Sequence, residues 1–212
     1  MSSATVHLHT MNLASIERAE IAPPSGTASM PLPEDAGTLL LPLARAAIAE
    51  HFGIPYAAGA AATWLRSQGA SFVTLTHQRN LRGCIGTLQA HRALLADVRA
   101  NAAAAAFRDP RFPPLGRDEF AVIRVEVSVL SAIEAVRFRD ETDALGRLRP
   151  TVDGVIFEYG YHRSTFLPQV WESFSDPREF MGNLKHKAGL PPDFWDPTVK
   201  LSRYTVSKWT ER

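Results

Sequence analysis

The chain has one cysteine in 212 residues, Cys84. A lone cysteine forms no internal disulfide, which suits a reducing compartment. Charge of one sign is also missing. Lys and Arg number 23 against 22 Asp and Glu, so no global field draws the chain to nucleic acid or an acidic membrane. No apolar run reaches the roughly 18 residues of a membrane span, and the N-terminus lacks the basic-then-apolar blocks of a signal peptide. These absences predict a cytoplasmic protein, with no membrane association and no nucleic-acid partner. No GxxxxGK[ST] phosphate loop is present. No histidine–cysteine spacing fits a zinc site, so neither a metal nor a cofactor is expected.

What is present reads as a globular protein, 45% hydrophobic and 21% charged. Residues 1–33, with "IAPPSGTASMPLPEDAG", offer little to bury and are expected to be a disordered tail that folding does not need. His7 and His9 in that tail lack a third ligand. A domain is expected over 34–212. A helix is predicted from Thr38 to Gly53, and a hairpin from the strand at Ser71–His77, the turn at 78–80 and the strand at Leu81–Leu88. A helix with five consecutive alanines follows at His91–Phe107, then a proline-broken loop. "AVIRVEVSVL" (121–130) alternates strictly, with Ile123, Val125, Val127 and Val129 on a core face. Strands are expected at Val152–Tyr159, in an edge segment at Thr165–Val170, and at Val199–Thr210. Asp176-Pro177 caps a helix that Gly189 ends. The order predicts an α+β fold with a largely antiparallel sheet and flanking helices.

Six segments carry a resemblance: "LRGCIGTL" (81–88), "FRDPRFPPL" (107–115), "VEVSVLS" (125–131), "VDGVIF" (152–157), "TFLPQVW" (165–171) and "KAGLP" (187–191). In this order they resemble the AMMECR family, over about residues 36–211, and its bacterial branch, the AmmeMemoRadiSam system protein A. The resemblance implies two lobes with a cleft between them and no established activity. It also implies a pathway shared with a Memo-type protein and a radical SAM protein as partners. Its motif maps onto Arg82, Gly83, Cys84 and Gly86.

Regular alternation puts Arg82 and Cys84 on one face. Cys84 is then either a packing residue, as free cysteines most often are, or a catalytic nucleophile whose thiol pKa Arg82 lowers. Either way it is expected at the cleft wall, partly accessible. Gly83 and Gly86 allow a bulge or a close approach. A nucleophile needs a base, and His77, His91, His162 and His186 are candidates, with His162 able to arrive from a distant loop. Arg82, Arg108 and Arg111 together would make an anion site if the loop folds over the hairpin. Arg124 and Glu126 are either an ion pair on a solvated face or ligand-orienting groups. The resulting expectation is an enzyme or enzyme subunit acting on a small polar or anionic ligand. The alternative is a non-catalytic binding or scaffold partner.

Overall fold

The computed structural model describes residues 32–58 and 62–212. The expectations for the tail at 1–33, His7 and His9 among them, fall almost wholly outside the described residues.

Helix α1 (Gly37–His51) leads to the hairpin of β1 (Ser71–His77) and β2 (Asn80–Gly86). Helix α2 (Leu94–Phe107) follows, then β3 (Arg124–Leu130) and β4 (Glu134–Val136). Helix α3 (Glu141–Arg147) precedes a second hairpin, β5 (Gly154–Tyr159) and β6 (His162–Phe166). Helix α4 (Pro177–Lys187), β7 (Lys200–Tyr204) and β8 (Val206–Thr210) complete the chain. The strands form two four-stranded antiparallel sheets, β2-β1-β3-β8 and β4-β7-β5-β6. The fold is α+β, as the element order predicted.

Each sheet is covered by helices on one face, because alternation loads that face with apolar side chains. In the first lobe Val73, Leu75, Val125, Val127 and Val129 pack under the alanines of α1 and α2. In the second, Val155, Phe157 and Leu201 pack with α3 and α4, where the Trp171 and Phe180 rings stack at 3.5 Å between centroids. A smaller cluster of Ala70, Leu130, Ile156 and Tyr204, flanked by Phe72 and Leu167, joins the lobes.

The expected strand over 199–210 is two strands in different sheets. Its apolar residues change phase between Leu201 and Tyr204, and at Thr205 the chain leaves one sheet for the other. There Ser131 N–H donates to Thr205 O, and Thr205 N–H donates to Ser131 Oγ, both at 2.9 Å. The segment expected to be extended over 165–170 is strand only to Phe166, then a 3-10 turn at Pro168–Ser173. Strand β6 is an edge, as the proline suggested. No helix among the described residues is long and apolar enough to cross a membrane.

Candidate functional site

The motif "LRGCIG" lies on β2, an edge strand of the first sheet. In the β1–β2 register Leu75 faces Gly83 and Thr76 faces Leu81, so Arg82 is the extra residue of a bulge. Gly83 lies on the helix-covered face: a Cβ there would sit 2.1 Å from the carbonyl oxygen of Ala105 on α2. The small residues of α2 permit this approach of two backbones, and glycine is what the strand must offer in return. At Gly86 a Cβ would meet the Phe72 ring at 2.1 Å.

Cys84 lies on the opposite face, in a row that crosses the sheet: Cys84, Thr74, Glu126, Thr210. Its side chain is half-buried. Thr74 Oγ1 donates to Cys84 Sγ over 3.4 Å, and Thr210 Oγ1 donates to Glu126 Oε2 over 3.0 Å. Glu126 lies 3.8 Å from Lys208, and that is the ion pair it makes. Arg124 is exposed, two residues along the same face.

The outer edge of β2 is covered by side chains. Thr87 N–H donates to Ser71 O, so by the period of two Gly83 and Ile85 turn their backbone groups towards β1. Cys84 turns its own away. Asp109 Oδ2 accepts from Cys84 N–H at 2.8 Å, and Arg111 Nη2 donates to Cys84 O at 3.0 Å. Arg111 and Asp109 also bind each other, at 2.9 Å and 2.7 Å. Burial works to raise the Asp109 carboxyl, but the hydrogen bonds from Arg111 and from Cys84 N–H outweigh it and hold the group below its ordinary value. Arg82 grips the same loop from the bulge, donating to Pro113 O at 3.0 Å and to both oxygens of Glu119. That pairing pulls the Glu119 carboxyl down to about 2.

Three expectations change here. The cation acting on Cys84 is Arg111, not Arg82, whose fork is taken by Glu119 and the loop carbonyls. The thiol is raised, not lowered: burial is the largest effect and exceeds the lowering from Thr74 and Arg111. Of the three arginines read as an anion site, Arg82 and Arg111 each carry a carboxylate partner, and Arg108 is exposed beside them.

His162 lies in the other lobe, at the start of β6. Its Nδ1 is 2.9 Å from Ala188 O, and its ring neighbours those of Tyr159 and Tyr161. The groups acting on the Cys84 thiol are Thr74, Arg111, Asp109 and Glu126. Among the described residues no three His, Cys, Asp or Glu side chains gather as a metal site would require.

Sequence reasoning missed Thr74, Glu119 and Asp109. A signal existed: an edge strand leaves outward N–H groups to be satisfied, and a loop with Pro110, Pro113 and Pro114 has few donors and one buried acid to offer. It also missed a buried polar network. Asp97 on α2 accepts from Ser71 N–H, Ser71 Oγ, Thr87 Oγ1, Arg92 and Asn101, tying the helix to the start of β1 and to the residue that follows β2.

Residues 41–209 match the AMMECR1 family model. A protein of the archaeon Methanothermobacter thermautotrophicus is 39% identical over 193 residues, which is 85% of this chain and 97% of that protein. One of Saccharolobus solfataricus is 37% identical over 182 residues, 82% of this chain and 80% of that protein. The crystal structure of an uncharacterised protein of Pyrococcus horikoshii superposes with a TM-score of 0.70 at 31% identity, covering 85% of this chain and 94% of the other.

Proposed function

The chain belongs to the AMMECR1 family, and from that premise we propose that it works by binding and presenting a ligand, not by turning one over at Cys84. The supporting observation is the surroundings of the thiol. A cysteine nucleophile needs a base within hydrogen-bond reach that removes its proton. Among the described residues, the Thr74 hydroxyl, which donates to sulfur, and the Arg111 guanidinium reach the thiol, and neither is a base. Burial keeps the thiol protonated, and the histidine that sequence reading favoured sits in the second lobe.

The binding face in this reading is the polar row of Cys84, Thr74, Glu126 and Thr210. The helices of the lobe pack against the other face of that sheet. A thiol, two hydroxyls and a carboxylate suit a small polar ligand with donors of its own. The likeness of the six motifs to the bacterial branch supports placing this role beside a Memo-type protein and a radical SAM protein, as the component that holds and hands over a ligand.

Two variants test the reading in cells that depend on the protein. Cys84→Ser, which keeps a polar group in the row without a thiol, is expected to keep pathway output, whereas Thr74→Val with Glu126→Gln is expected to lose it while the protein stays folded. Small molecules that co-purify with the native chain, read by untargeted mass spectrometry, should disappear from the double variant. A folded Cys84→Ser protein that keeps its small molecule but loses all output would overturn the reading in favour of a nucleophile.

A further inference from the structure

We infer that the loop at 108–115 is a clasp that keeps the β2 edge closed to a second copy of this chain. Asp109 and Arg111 stand in for the backbone groups of a neighbouring strand. The inference rests on where the edge's hydrogen bonds go. An antiparallel partner would give one carbonyl to Cys84 N–H and take one N–H at Cys84 O. Asp109 Oδ2 and Arg111 Nη2 occupy those two positions, at 2.8 Å and 3.0 Å.

The loop's own main chain is short of donors. Pro110, Pro113 and Pro114 have no N–H. Four other donors point inward: Arg108 N–H to Ala104 O, Arg111 N–H to Asp109 Oδ1, Phe112 N–H to Asp109 O, and Leu115 N–H to Ala106 O. So the edge is closed by two side chains, themselves joined as an ion pair. Arg82 anchors the far end of the loop through Pro113 O and Glu119.

The occupant that the clasp excludes is β2 of another copy, because β2 is self-compatible. Antiparallel pairing about Cys84 sets Arg82 opposite Gly86 and Gly83 opposite Ile85, so no like charges meet. The other edge of the sheet differs. Glu211 N–H donates to Val125 O and Ser131 N–H to Thr205 O, so Val206, Lys208 and Thr210 turn outward on β8. Self-pairing there about Lys208 would oppose two exposed lysines. One edge is guarded by charge and the other by the clasp.

The test is Asp109→Ala, followed by sedimentation equilibrium over a concentration series and by hydrogen exchange at the Cys84 amide. Average mass is expected to rise with concentration towards twice that of the wild type. The Cys84 amide, fast in dilute variant, is expected to slow as the mass rises. Arg111→Ala, at an exposed position, frees the Cys84 carbonyl and keeps the experiment readable if Asp109→Ala does not fold; the same rise in mass is expected. A folded variant at wild-type mass throughout the series would overturn the inference. So would association that leaves the Cys84 amide as fast as in dilute protein, since the contact would then lie elsewhere.

Discussion

At Gly83 a single hydrogen in place of a methyl group decides whether β2 can lie on α2. The atom in the way is Ala105 O, a main-chain oxygen, so relief requires moving a strand or a helix. Gly83→Ala is therefore expected to cost about 3 kcal/mol or more, read as a shift in the denaturant midpoint; an unchanged midpoint would contradict the close approach. One residue on, the thiol gives a pH test. Alkylation of Cys84 in native protein should be slow and half-maximal above the free-cysteine value of about 8.5, because burial favours the neutral thiol. Thr74→Val should move that midpoint further up, since it removes the donor to sulfur. A midpoint at or below that of free cysteine would show an activated thiolate. Alternation along the strand correctly separates Gly83 from Cys84, but it does not reveal which cation acts on the thiol. Arg111 arrives from a loop 27 positions later, and the course of a proline-rich loop leaves no periodic trace in sequence.

Among the elements, the β1–β2 hairpin is closed by Gln78 and Arg79, at φ of 51° and 68°. Two-residue turns with both central residues left-handed favour Asn-Gly, which takes up that conformation at little cost. Replacing Gln78-Arg79 by Asn-Gly should add about 1 kcal/mol of stability, seen as a higher melting temperature. A lower one would mean that the turn side chains hold contacts outweighing the strain. The elements that sequence reading found are those long enough to show a period, and α4 is also chemically marked at its start. Asp176 caps α4 through Arg178 N–H, as its Asp-Pro pair promised. Helix α3 had the same mark, with Asp140 accepting from Asp143 N–H, but seven residues are too few for a period to show beside it. The three residues of β4 carry no alternation to read. The 199–210 run marks its division only by the change of phase between Leu201 and Tyr204, and the break at Thr205 is held by Ser131, distant in sequence.

At the level of the whole molecule, two cores are joined by a small apolar cluster and by two chain crossings, β3 to β4 and β7 to β8. The first sheet takes β8 from beyond both crossings, whereas β4 to β7 of the second lie between them in sequence. Thermal unfolding should therefore be one cooperative transition, with calorimetric and van't Hoff enthalpies in agreement. Two resolved peaks would mean that each lobe folds alone. The sequence order of these crossings also bears on synthesis. Strand β7 is central in one sheet, β8 closes the other, and Glu211 beyond them joins Arg45 of α1 to Val125 N–H of β3. The strands that finish both lobes are thus translated after all their partners. A chain translated only as far as α4 holds two open sheets, and both halves close once β7 and β8 have followed.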